Sequence, residues 1–67
     1  MNLADTVTRN LKAQRLAKKL SQEALAEKAG ISVSYVSMLE RGQRSPPLDT
    51  LESLAKALGV RAVDLCR

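Results

Sequence analysis

Only one of the 67 residues, Tyr35, is aromatic; tryptophan and phenylalanine are absent. A core must therefore be built from Leu, Val, Ile and Ala, which suits packed helices better than a sheet, and no strands are expected. Histidine is also absent and cysteine occurs once, as Cys66. The first absence removes the commonest metal ligand, and the second excludes an internal disulfide framework and any cysteine-rich zinc site. No metal and no cofactor are expected, and Cys66 reads most simply as a small buried hydrophobe. No apolar run approaches the roughly 20 residues of a membrane span, and the opening MNLADTVTRNLK lacks the apolar region of a signal peptide. A cytoplasmic protein without membrane contact is expected. Catalytic equipment is missing too: there is no histidine, no carboxylate pair flanking a pocket, no nucleotide-binding glycine loop and little volume for a cleft.

What the chain does have is charge, and its position is informative. The formal net charge is +4. Between Arg9 and Arg44 the basic residues Arg9, Lys12, Arg15, Lys18, Lys19, Lys28, Arg41 and Arg44 face only Glu23, Glu27 and Glu40 as acids, whereas from Asp49 onward the signs balance. By itself such an excess describes solvated helix faces. A length of 67 residues allows one domain with one small core, residues 1–67, and leaves nothing for a separate ligand-binding domain, so no small-molecule effector is expected.

The stretch from Gln22 to Leu39, QEALAEKAGISVSYVSML, reads as two short helices broken by a glycine turn. Leu25, Ala26 and Ala29 recur at helical spacing; after Gly30, Ile31, Val36 and Leu39 begin a second helical pattern. Ala26 is small where the helices would cross, and Gly30 can adopt the left-handed conformation of a helix end without a Cβ penalty. Ser21 and Ser32 stand at the two N-cap positions, where a hydroxyl accepts from otherwise unpaired backbone N–H groups.

Around this pair the periodicity predicts an all-α fold of five helices. Helix 1 should run from about Leu3 to Lys18, capped by Asn2, with Asp5 in its first turn and Leu11 and Leu16 facing inward. Helix 3 should end at Gly42, and QRSPP should form a loop because paired prolines cannot continue a helix. Helix 4 carries Leu51, Leu54, Ala55 and Leu58 on one face and stops at Gly59; Pro47 stands at its start, and Asp49 with Glu52 offers a capping box one turn in. The last segment, VRAVDLCR, should add a final helical turn or two packed on the body.

SQEALAEKAGIS followed by SYVSMLERG closely resembles the helix-turn-helix of phage repressors and Cro-like proteins, the Xre-like regulators, and the resemblance extends over nearly all of the chain. In length and layout the chain is similar to the stand-alone controller proteins of restriction-modification systems. The resemblance implies a compact lambda-repressor-like domain whose third helix enters the major groove of double-stranded DNA. Relatives often carry glycine at the position of Lys19, to close helix 1. They also pair the residues at the positions of Arg15 and Glu40 across helices 1 and 3, an orienting device more than a large source of stability.

Base reading would fall to Val33, Ser34, Tyr35, Ser37 and Met38, while Val36 and Leu39 turn to the core. Val33 suits a thymine methyl group, and the serines suit several bases. Tyr35 suits either DNA or its own helix surface, and Met38 suits either a base or a gap between helices. None of these is Arg, Asn or Gln, so the bidentate contacts to guanine or adenine are missing and direct readout is modest. Gln22 at the start of helix 2, Ser32 at the cap, and Arg41, Gln43 and Arg44 beyond helix 3 are the expected contacts to the sugar-phosphate backbone.

One such domain covers half an operator, so a homodimer is expected. Val60, Ala62, Val63, Leu65 and Cys66 are the candidates for its interface, the alternative being that all five serve the protomer's own core. The leading function is a sequence-specific transcriptional regulator. The alternative, kept open by the sparse base-reading face, is an antitoxin or other protein-binding subunit that also binds DNA.

Overall fold

A computed structural model describes residues 2–67. Helix α1 spans Leu3–Ala17, α2 Gln22–Ala29, α3 Val33–Glu40 and α4 Leu48–Leu58, and a 3-10 turn follows at Ala62–Leu65. Four α-helices and one 3-10 turn therefore stand where five helices were expected, and no strand occurs among the described residues. The last segment is held by local charge. Asp64 Oδ2 accepts from the Arg61 backbone N–H at 2.9 Å, and Asp64 Oδ1 accepts from Arg67 Nη2 at 2.8 Å. The Arg61 backbone N–H, and then the Arg61 and Arg67 side chains, hold the Asp64 carboxyl at about 2, below its ordinary 3.8.

The helix ends explain the breaks. Asn2 Oδ1, Ser21 Oγ and Ser32 Oγ accept from the backbone N–H groups of Asp5, Ala24 and Tyr35 at 2.9, 3.0 and 3.1 Å, each satisfying a donor that the first helical turn leaves unpaired. Gly30 closes α2 with φ 73°, a conformation in which a Cβ would clash with the following carbonyl. Helix α4 begins at Leu48 with Pro47 at the cap position and no side-chain cap. The expected box one turn further in does not form. Asp49 Oδ1 instead accepts from the neighbouring Thr50 N–H at 2.8 Å, because Asp49 already lies inside the helix that starts at Leu48 and is not in the extended conformation of a cap.

Eleven apolar side chains drawn from every element form one buried cluster: Val7, Leu11, Leu25, Ala26, Val36, Leu39, Leu51, Leu54, Ala55, Leu58 and Leu65. Helix α2 lies against both α3 and α4, while α1 touches α3 and the C-terminal turn. In α1 the inward stripe is Val7, Leu11 and Arg15, at i, i+4 and i+8. Leu16 was expected to face inward and is 56% exposed. It lies about 100° round the helix from Arg15, which occupies the inward place. Asn10 fastens the chain's end to α1, donating through Nδ2 to the carbonyls of Leu65 at 3.1 Å and Arg67 at 2.6 Å.

The turn between α1 and α2 carries local strain. Lys19 has φ 58° and is the single non-glycine residue with positive φ among the described residues. Lys19→Gly is expected to raise the unfolding free energy by roughly 0.5–1 kcal/mol, relief of the left-handed penalty being partly offset by the greater freedom of glycine in the unfolded chain. Urea denaturation of both proteins checks this. A lower midpoint for the glycine variant would mean that the turn is not strained.

Candidate nucleic-acid interface

The two helices of the Gln22–Leu39 stretch are locked from behind by a buried ion pair. Arg15 Nε donates to Glu40 Oε2 at 2.6 Å and Nη2 to Oε1 at 3.1 Å, a two-point contact between side chains that are 10% and 3% exposed. Arg15 Nη1 donates further to the Leu20 carbonyl at 2.8 Å. Gln22 Nε2 donates to Glu40 Oε1 at 3.1 Å. The Arg15–Glu40 pair thus gathers the end of α1, the α1–α2 turn, the first residue of α2 and the last residue of α3. No buried side-chain nitrogen or oxygen among the described residues lacks a partner, so the polar cluster avoids the cost of an unsatisfied group.

With its rear face fixed, α3 turns its first turn outward. Val36 and Leu39 are buried; Val33 and Ser34 are exposed, and no acid lies in that turn. Ser37 and Met38 are half-buried. Tyr35 is half-buried as well and packs against the core, so its ring is committed in large part to the protein's own interior. Ser32 Oγ accepts from the Tyr35 N–H, which leaves the hydroxyl proton for donation elsewhere. Arg41, Gln43 and Arg44 are exposed beyond α3. Arg41 is steadied by a bond from Nε to the Ser37 carbonyl at 3.3 Å, and Gly42, with φ 74°, turns the chain there.

The structure therefore brings Ser32, Val33 and Ser34 together on the open first turn of α3 and sets Arg41, Gln43 and Arg44 at its exit. It divides the C-terminal group. Leu65 is fully buried in the protomer's own core, which corrects its expected place on an interface: in a 3-10 turn it drops into the gap beneath α1 and α4. Val60, Ala62 and Cys66 are half-buried against the same core, and Val63 alone of the five is exposed, at 50%.

The family pattern described as Helix-turn-helix matches residues 11–65, a span that contains the ion pair, both short helices and the following loop. The chain belongs to the helix-turn-helix family. It is 48% identical over 56 residues to the immunity repressor protein of Bacillus phage phi105, covering 84% of this chain and 39% of that repressor. The chain thus spans well under half of that protein's length. It is 43% identical to the HTH-type transcriptional regulator y4dJ of Sinorhizobium fredii over 97% of this chain and 84% of that one. Its backbone superposes on the crystal structure of the restriction-modification controller protein C.AhdI from Aeromonas hydrophila with a TM-score of 0.87 and 42% identity, covering 90% of this chain and 91% of the other.

Within this helix-turn-helix two features escape a reading of the sequence. The Gln22–Glu40 bond joins residues 18 apart on separate helices, and hydrophobic periodicity carries no information about such a polar pair. Asn10 neighbours the core residue Leu11, yet its clamp on the C-terminal carbonyls becomes apparent only when the 3-10 turn is folded against α1. The polar residue beside a core position is the one available signal, and it is shared by most amphipathic helices.

Proposed function

We propose that the protein is a sequence-specific regulator of transcription that binds double-stranded DNA, acting in the cytoplasm as a homodimer on an operator of two half-sites, and not an enzyme. The observation that carries this reading is the acid-free, outward first turn of α3, held by the Arg15–Glu40 pair and followed by two exposed arginines. Such a turn fits the major groove while the flanking cations meet phosphate. The likeness to repressors and a controller protein supports the same reading.

In the dimer, recognition helices would stand about 34 Å apart, one helical turn of DNA from centre to centre. Val63 is the exposed apolar side chain of the C-terminal segment, and Leu3, Pro46 and Cys66 line a groove where the two ends of the chain come together. Selection of sites from random duplex DNA, followed by footprinting and sedimentation of the complex, tests the proposal. The expected result is two related protected half-sites bound by two protomers, with Val63→Asp shifting free protein toward monomer. A monomer protecting one short site at high protein concentration would contradict it.

Val33 and Ser34 are the exposed residues of the base-reading set, so specificity should rest on thymine methyl contacts and on DNA shape more than on hydrogen-bonded base edges. Val33→Ala is expected to relax the preference for one thymine per half-site by no more than about 1 kcal/mol, and uracil in place of that thymine should cost wild type a similar amount. Binding of both proteins to thymine and uracil operators decides the point. Indifference of wild type to the methyl group at every position would remove apolar readout.

A further inference from the structure

We propose that the groove between α1 and the exit of α3 is a docking site for an acidic segment of a partner protein that carries an apolar anchor residue, and that its occupation withdraws Arg41 from DNA. The competition rests on the DNA-binding reading above; the docking does not. Helix α1 buries the stripe Val7, Leu11 and Arg15. A second stripe, Arg9, Lys12, Ala13 and Leu16 at i, i+3, i+4 and i+7, runs along an exposed face of the same helix. The chain at Gly42 passes beside this helix, close enough that a Cβ there would stand 3.9 Å from the Thr8 hydroxyl. Between them lies an open groove of about 410 Å³. Its surface is mainly apolar where Ala13 and Leu16 line it, and Leu16 is 56% exposed.

The charge of the groove selects the occupant. Arg9, Lys12 and Arg41 line it against one exposed acid, Asp5, because the Glu40 carboxylate is turned inward to Arg15 and Gln22. A nucleic-acid backbone would answer the cations and leave the leucine uncovered, whereas carboxylates flanking one apolar side chain answer both. A second copy of this chain does not fit, since a two-fold contact here would set Lys12 and Arg41 against their own like. Arg41 is also one of the arginines assigned to phosphate above. Its Nε is held by the Ser37 carbonyl at 3.3 Å, which leaves the Nη groups as the face offered to an anion. A carboxylate seated there takes the cation that a phosphate needs, so each ligand lowers the affinity for the other by the same factor.

The test titrates the full chain into fluorescein-labelled synthetic peptides: one acidic with a central leucine pair, one acidic with serines in place of the leucines, and one basic with the leucines kept. The first should bind, and the other two at least about tenfold more weakly. Leu16→Ser, at an exposed position, should weaken the first peptide about tenfold and leave affinity for a selected duplex unchanged. Lys12→Glu should weaken it about fivefold. The peptide should shift the amides of Lys12, Ala13, Leu16 and Arg41, and at saturation it should lower duplex affinity roughly fivefold per protomer near 0.15 M salt, the worth of one ionic contact.

Equal binding of the leucine and serine peptides would make the face a merely basic surface and overturn the docking. So would the absence of peptide binding, or a duplex that shifts Ala13 and Leu16 in the peptide's place, which would give the groove to nucleic acid. Unchanged duplex affinity under saturating peptide would overturn the competition for Arg41. If no duplex is selected from a random pool, the DNA-binding reading fails and takes the competition with it, while the peptide titration still decides the docking.

Discussion

Replacing Glu40 by glutamine is expected to lower the unfolding free energy by about 3 kcal/mol, the scale for breaking one half of a buried ion pair. The variant keeps the size of the side chain and removes its charge. Arg15, 10% exposed and bonded through two nitrogens to Glu40, would then be a buried cation with no counter-ion. The new amide would also offer one accepting oxygen in place of two, and where its N–H groups face Arg15 the guanidinium has nothing to accept with. A domain of this length has a total stability of roughly 3–10 kcal/mol, so the loss is a large share of it. Guanidinium denaturation at neutral pH measures the change. A loss under about 1 kcal/mol would put the pair in the class of exposed ion pairs.

The companion variant Arg15→Met with Glu40→Leu should recover much of that stability, since apolar replacements of a buried pair are often neutral. It should still bind DNA less well than wild type, because the two-point geometry that orients α3 on α1 is gone. Stability and affinity are expected to part company in this protein.

The second large effect is electrostatic. Removing both Arg41 and Arg44, exposed just beyond α3, should flatten the response of DNA binding to salt. If each arginine neutralises one phosphate, a dimer makes roughly four ionic contacts and log affinity falls with log salt at a slope near −3.6, about a hundredfold loss between about 50 and 200 mM. Arg44→Ala alone should reduce the slope by about one unit per protomer and weaken all sequences alike, because a phosphate contact carries no sequence information. Titrations of operator and unrelated duplex over a salt series provide the measurement. An unchanged slope in Arg44→Ala would take that residue out of the interface.

The parts of the fold that sequence displays are those made by short-range chemistry. Ser21, Gly30 and Ser32 mark the ends of α2 and α3 through caps that involve residues three or four positions away, and the spacing of Leu25, Ala26, Val36 and Leu39 marks the faces that meet. Tertiary context decides the rest. Apolar periodicity passes over Arg15 and assigns Leu16 to the core, yet a charged residue holds that inward place once Glu40 arrives from another helix. The C-terminal segment is too short for its period to distinguish an α-helix from a 3-10 turn. The position of Leu65 beneath α1 and α4 depended on that distinction. At the site, the exposure of Val33 and Ser34 follows from the helical phase of Val36 and Leu39. The inward packing of Tyr35 and the bond from Gln22 to Glu40 depend on neighbours supplied by the fold.

Duplex DNA is expected to meet the protein on the first turn of α3 and its flanks. An amide chemical-shift titration of isotopically labelled protein with a duplex selected from a random pool tests it most directly. Perturbations should concentrate at Gln22, at Ser32 to Tyr35 and at Arg41 to Arg44, leaving the outer face of α4 still. Shifts confined to α4 and the C-terminal turn, with Ser32 to Tyr35 unmoved, would contradict the account.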